Sequence, residues 1–143
     1  MDNKMTLTFL SLSENESFAR NAVASFMLPL NPTLSEINDV KTAVSEAVTN
    51  AVVHGYPDVV GEIELKATIE DNFIHIEIID NGVGIDDLSK ALEPFYSTKP
   101  ENERSGMGFS IMQSFMDEID VKSAINEGTI IKMSKKINQT KAV

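Results

Sequence analysis

The strictest constraint in this chain is a pair of alternating runs that face each other across Asp71-Asn72. Before the turn, Ile63, Leu65, Ala67 and Ile69 alternate with Glu62, Glu64, Lys66 and Thr68; after it, Ile74, Ile76 and Ile78 keep the same period. A period of two puts every second side chain on one face of a strand, so both arms offer an apolar face to one core. Asp71-Asn72 supplies the short polar turn that joins antiparallel neighbours. Asp80 falls on the inward parity of the second arm. A carboxylate there is costly unless something hydrogen-bonds it, so this strand end is a candidate functional position.

The layer that covers the hairpin is helical. Thr33-Leu34-Ser35-Glu36 has the spacing of a capping box, and Ile37, Val40, Val44, Ala47, Val48 and Ala51 follow at steps of three and four. Gly55, Tyr56 and Pro57 end this long helix. Ser13-Glu14-Asn15-Glu16 reads as another capping box and predicts a helix to about Met27, before Pro29 and Pro32. Met5, Leu7 and Phe9 alternate with Thr6 and Thr8, which predicts a half-buried strand over Met5 to Leu10.

Met112, Phe115, Met116 and Ile119 predict a third amphipathic helix. A last hairpin turns at Glu127-Gly128, with Thr129, Ile131 and Met133 on one parity. The aperiodic stretch from Glu93 to Ser105 carries two prolines and reads as a functional loop or lid. The tail from Asn138 is polar and expected to fray. With no repeat or linker, 143 residues read as a single domain.

Composition excludes several chemistries. There are no cysteines, so disulfides, thiolate nucleophiles and cysteine-ligated metal centres are ruled out. Acidic residues outnumber basic ones by 22 to 12, a formal charge of −10, which gives no general attraction for nucleic acid. No apolar run approaches the roughly 20 residues needed to span a membrane. Met1-Asp2-Asn3-Lys4-Met5 is unlike the start of a signal peptide, and the expectation is a cytoplasmic protein without a membrane partner.

Three stretches carry polar groups that a core does not need. Glu46 and Asn50 lie at i and i+4, on one helix face roughly opposite the apolar stripe. A solvated face is the ordinary account of such a pair. Here Thr42, Thr49 and Val53 do not form a charged surface, and Asn is a poor helix former. The functional account gives Asn50 to a Mg²⁺ ion and Glu46 to a water or hydroxyl as general base. In Asp80-Asn81-Gly82-Val83-Gly84 the Asn-Gly pair alone signals only a turn. Joined to an inward Asp80 it makes an adenine pocket, the carboxylate accepting from the exocyclic amine while the glycines admit the base.

In Ser105-Gly106-Met107-Gly108-Phe109, two glycines precede a helix whose exposed amides suit an anion. The third glycine of a dinucleotide fingerprint is missing, and neither a P-loop nor the eukaryotic-type kinase signatures occur. Lys99 and Arg104 sit in the lid stretch, either placed to meet a γ-phosphate on closure or simply solvated. His54 falls at a helix end, where a capping role is the simpler account, and His75 has outward parity. Arg20, the only cation on the first helix, is a candidate partner contact by isolation alone.

Taken in order, these stretches resemble the N, G1 and G2 boxes of the GHKL ATPase/kinase superfamily (gyrase, Hsp90, histidine kinases, MutL). The resemblance covers nearly the whole chain. Ser45-Glu46-Ala47-Val48-Thr49-Asn50-Ala51-Val52-Val53-His54-Gly55 and Pro94-Phe95-Tyr96-Ser97-Thr98-Lys99 look closer still to the anti-sigma factor serine kinases of spore-forming bacilli. The resemblance implies the GHKL (Bergerat) ATP-binding fold. This is an α/β (α+β) two-layer sandwich, a mixed sheet with helices on one face and an ATP lid at about residues 93–106.

It implies a protein that binds Mg-ATP and releases ADP, holds a sporulation sigma factor inactive as a homodimer, and phosphorylates a serine of an anti-anti-sigma protein. By position, Asn50 would ligate Mg²⁺ and Glu46 would be the base toward the serine hydroxyl. Asp80 would bind adenine, with Gly82, Gly84 and Thr129 lining its pocket. Gly106, Met107 and Gly108 would meet the phosphates. Two other classes stay open at this level: the ATP-binding half of a histidine kinase, and a binding module in which ATP only orders the lid.

Overall fold

The computed structural model describes residues 2–85 and 108–138. The lid stretch, with Lys99, Arg104, Gly106 and Met107, lies outside the described residues. In chain order the elements are β1 (Asn3–Leu10), α1 (Asn15–Phe26), a 3-10 turn (Leu28–Leu30), α2 (Leu34–Thr49) and a π-helical turn (Asn50–Gly55). After these come β2 (Glu62–Glu70), β3 (Phe73–Asp80), α3 (Gly108–Phe115), β4 (Glu118–Ala124) and β5 (Gly128–Lys136). The strands form one sheet in the order β1-β2-β3-β5-β4.

The two-layer α/β architecture with helices on one face is the expected one. The sheet, expected to be mixed, is antiparallel in every described pairing. β5 lies between β3 and β4 and pairs antiparallel with both. Between β1 and β2 the reason is the pair of helices: α1 and α2 pack on each other and return the chain to the end where β1 stopped. There Ser11 N–H bonds the Gly61 carbonyl at 2.8 Å, Gly61 N–H bonds Ser11 Oγ at 2.9 Å, and Leu10 pairs with Glu62. One helix between β1 and β2 would have made them parallel; two make them antiparallel.

The core lies between the layers. Val40, Ala43, Val44, Ala47 and Val48 of α2 are fully buried, with Ala19 and Val23 of α1 and Met112 of α3. They cover Ile63, Leu65, Ala67, Ile74, Ile76 and Ile78, the inward positions of the central hairpin. On the opposite face Lys66, Glu77, Lys132 and Asp120 lie side by side across four strands. Alternating signs at neighbouring positions are mutually favourable and keep this face solvated. Among the described residues no helix is long and apolar enough to cross a membrane.

The two capping boxes differ in outcome. Thr33 is extended (φ −72°, ψ 164°); its Oγ1 accepts from Glu36 N–H at 3.1 Å, and Glu36 Oε1 accepts from Thr33 N–H at 2.8 Å. The Ser13 box does not form. Glu14 is the residue before α1 and is already helical (φ −63°, ψ −19°), no side chain caps the helix, and Glu16 N–H bonds the Ser13 carbonyl instead. Thr33→Ala is expected to cost about 1 kcal/mol of stability, read as a lower urea midpoint; an unchanged midpoint would show that the cap contributes nothing. Full burial of one large aliphatic side chain is worth about 1.5–3 kcal/mol, so packing decides the fold and the cap only adjusts it.

Two further expectations are corrected. The third helix ends at Phe115, and Ile119 belongs to β4, opposite Met133. Its three-four spacing from Met116 is met by a last helical turn followed by the first inward strand position. Asn138, the first residue of the tail expected to fray, is held: its N–H bonds Glu36 Oε2 at 2.8 Å and its side-chain amide bonds the Leu30 carbonyl. The rest of that tail, 139–143, lies outside the described residues.

Candidate functional site

The polar groups converge at the end of the sheet where β3 stops. Asp80 sits between Ile63 and Thr129 in the sheet register and is 3% exposed. The inward parity read from the sequence is therefore correct. Its Oδ1 accepts from Gly82 N–H at 3.0 Å, and the Thr129 amide also bonds the carboxylate. Burial pushes the carboxyl pKa up, and those two backbone bonds pull against it without cancelling it. A carboxylate has about four lone-pair positions, so two amides leave capacity for a ligand donor.

The raised value has a consequence for stability. The folded chain holds the Asp80 proton more tightly than the unfolded chain does. Its favourable contribution is full below the ordinary carboxyl range, about pH 4, and is lost as pH rises through the folded value. Asp80→Asn is expected to flatten the pH dependence of the urea midpoint in that window. An identical slope in both proteins would show that Asp80 does not carry it.

The turn after Asp80 is fastened at nearly every residue. Asn81 N–H bonds Tyr56 Oη at 2.8 Å, Val83 N–H bonds the Gly55 carbonyl at 2.9 Å, and Ile85 N–H bonds Ser123 Oγ at 2.7 Å. Asn126 N–H reaches the Val83 carbonyl at 2.8 Å. Gly82 is required by this approach, because a Cβ there would lie 1.8 Å from the Gly55 carbonyl oxygen. Gly55 is required in turn, its Cβ position being 2.8 Å from Asp80 Cγ and Oδ1. Gly84 takes a φ of 77° against the Ala124 carbonyl.

α2 enters this site through its last turns. The Asn50 amide N–H bonds back to the Glu46 and Ala47 carbonyls, so the Glu46 and Asn50 side chains share a face one turn apart, both half-buried. At Asn50 the helix widens into the π turn, which closes with Tyr56 N–H on the Ala51 carbonyl at 3.0 Å. Such widened turns recur at functional sites. This one delivers Gly55 to the Asp80 carboxylate. His54 lies in the same turn, while His75 points outward, stacks on Phe73 and lies 3.4 Å from Glu70.

Thr129 is 3% exposed, and its hydroxyl lies 2.8 Å from Ser123 Oγ, which also bonds the Gly128 carbonyl at 3.0 Å. Gly108 opens α3 and is half-buried. Arg20 reaches Ser45 Oγ at 3.4 Å, next to Glu46 in the chain.

Gly55, Asp80 and Gly82 are thus in mutual contact, with Thr129 opposite Asp80 in the sheet and Glu46 and Asn50 on the winding that leads into Gly55. Sequence reasoning missed the structural parts of Gly55, Tyr56, Ser123 and Gly128. The first two read only as helix terminators and Gly128 only as a turn. Inward parity on β4 was the sole signal for Ser123.

Residues 11–135 match the family of the histidine kinase-like ATPase domain. The anti-sigma F factor of Clostridium acetobutylicum is 57% identical over 136 residues, covering 95% of each chain. That of a Thermoanaerobacter species is 54% identical over 139 residues and 97% of each chain. That of Geobacillus kaustophilus is 51% identical over 144 residues, covering all of this chain and 99% of its own. The fold alone is shared with the RsbU and RsbW domains of a Mycobacterium tuberculosis protein, at a TM-score of 0.67 and 19% identity, over 94% of this chain and 32% of that one. A blue-light activated histidine kinase of Erythrobacter litoralis gives 0.52 over 74% of this chain and 33% of its own, also at 19% identity. By sequence over nearly its full length, the chain belongs to the anti-sigma F factor family of histidine kinase-like ATPase domains.

Proposed function

We propose that this chain is a cytoplasmic anti-sigma factor and protein-serine kinase. In this reading it binds Mg-ATP, holds a sporulation sigma factor inactive as a homodimer, and phosphorylates a serine of an anti-anti-sigma protein. The observation that carries the reading is the buried Asp80 carboxylate, held by the Gly82 and Thr129 amides against Gly55, at the end of the helix that bears Glu46 and Asn50. The names of the full-length relatives supply the sigma factor as partner. β1 is an edge strand, and an uncovered edge suits pairing with a second copy.

The residues divide the work as follows. Asp80 accepts from the exocyclic amine of adenine, Gly82 and Gly84 let the backbone approach the base, and Thr129 adds its hydroxyl beside the carboxylate. Gly106, Met107 and Gly108 offer amides to the phosphates. Lys99 or Arg104 meets the γ-phosphate. Asn50 holds Mg²⁺ through its side-chain oxygen. Among the described residues there is no cluster of three or more His, Cys, Asp or Glu able to hold a metal. Magnesium draws most of its ligands from phosphate and water. When bound, magnesium neutralises charge on the phosphates. Glu46 takes the proton of the serine hydroxyl as its oxygen bonds to the γ-phosphorus; the bond to the β–γ bridging oxygen breaks and ADP leaves.

The test is incubation with γ-labelled ATP, Mg²⁺ and the anti-anti-sigma protein, with a serine-to-alanine acceptor as control. Acid-stable label on the serine is expected. Acid-labile label on a histidine would make the chain half of a histidine kinase. No label, with ATP-dependent sigma binding intact, would leave a non-catalytic binding module.

A further inference from the structure

We infer that Tyr56 is a positioning residue for base recognition: its hydroxyl holds the Asp80–Gly82 turn at the angle from which the carboxylate reads adenine. The inference rests on the reading of Asp80 as the adenine acceptor. Tyr56 is 9% exposed, and its Oη sits at a junction, donating to the Glu62 carbonyl at 2.6 Å and accepting from Asn81 N–H at 2.8 Å. Its neighbour Gly55 accepts from Val83 N–H at 2.9 Å. Two consecutive residues at the end of the π turn therefore clamp the residues on either side of Gly82, whose own N–H goes to Asp80.

The ring that carries this hydroxyl is itself fixed. A Cβ on Gly61 would lie 2.3 Å from Tyr56 Cε1, so glycine backbone packs directly on its face. A tyrosine so held sets the direction of Asn81, and through it the plane of the Asp80 carboxylate. Direction matters because a carboxylate accepts only: it favours the amine of adenine and opposes the carbonyl oxygen that guanine presents at that position. Sites built on such a polar contact discriminate strongly against the analogue that lacks it.

Binding of ATP and of GTP to the full chain is measured by titration for wild type, Tyr56→Phe, Asp80→Asn and the double variant. Tyr56→Phe keeps the ring and removes the hydroxyl. It is expected to weaken ATP about tenfold, the scale of one or two lost hydrogen bonds, and to change GTP by less than about twofold. In the double variant ATP binding is expected to be no weaker than in Asp80→Asn alone, the mark of residues acting through one another. Gly61→Ala, which displaces the ring and carries its hydroxyl away from Asn81 without removing it, is a second route to the same narrowed ATP/GTP ratio if the first variant does not fold. An unchanged ratio in the folded variants, or additive losses in the double variant, would overturn the inference. If Asp80→Asn itself leaves ATP affinity intact, the adenine reading falls and this inference with it. A loss in Asp80→Asn with none in Tyr56→Phe removes the role of Tyr56 alone.

Discussion

Glu46→Gln is expected to lower phosphoryl transfer to the anti-anti-sigma serine by about 10²–10⁴-fold, the range for loss of a positioned general base. At 1.36 kcal/mol per tenfold, that is about 2.7–5.4 kcal/mol of barrier. The substitution keeps the size and helix propensity of the side chain and removes only the proton acceptor. The scaffold does not adjust to compensate, because Ala47 and Val48, next along α2, are fully buried against the sheet and fix the rotation of the helix. Glu46 in this account touches the hydroxyl and not the nucleotide, so ATP affinity should change by less than about twofold. Initial rates with labelled ATP, beside equilibrium binding, separate the two effects. Transfer at the wild-type rate would remove Glu46 as the base, and a collapse of ATP binding would reassign it to the nucleotide.

Asp80→Asn is expected to raise the Kd for ATP by about 10–100-fold. A hydrogen bond to a charged group is worth about 1.5–3 kcal/mol, and tenfold is 1.4 kcal/mol. The variant loses more than charge. Asparagine has one acceptor oxygen where the aspartate has two, and two amides already bond this group in the folded chain. Its NH₂ would turn a donor toward either a backbone N–H or the adenine amine. Displacement of a fluorescent ATP analogue reads the change, and equal affinities in the two proteins would contradict the adenine assignment. The carboxyl is also held above its ordinary pKa by burial. An ionised carboxylate at this position is thus costly to the folded chain.

What the sequence displayed, and what it concealed, follows from the range of each interaction. The β2–β3 hairpin, the apolar stripe of α2, the Thr33 cap and the inward turn of Asp80 rest on periods of two and of three to four, and these are local. Where an element changes type within one apolar pattern, the pattern misleads. Ile119 continues the spacing of Met112 and Met116, yet Asp117 N–H already bonds the Ser134 carbonyl and β4 begins at Glu118. The Ser13 cap failed for a reason the motif does not contain, the helical backbone at Glu14.

The site divides in the same way. Glu46, Asn50, Asp80 and Gly82 stood out as residue types at telling positions. The clasp around them did not, because the Tyr56–Asn81 and Ser123–Ile85 bonds join residues 25 and 38 apart in sequence. Only the packing of the π turn and of β4 against the end of β3 brings such residues together. The π turn was hidden as well, since its widened winding spans residues that continue the apolar spacing of α2.

The central claim is that one nucleotide site is built where the π turn meets the end of β3. Amide NMR of the ¹⁵N-labelled chain titrated with Mg-ATP tests it most directly. The account predicts that Asn50, Gly55, Gly82 and Thr129 shift together along one saturable curve, while Lys66 and Lys132 on the open face of the sheet stay in place. Saturable shifts confined to the open face, or no saturable shift at Gly82 and Thr129, would contradict it.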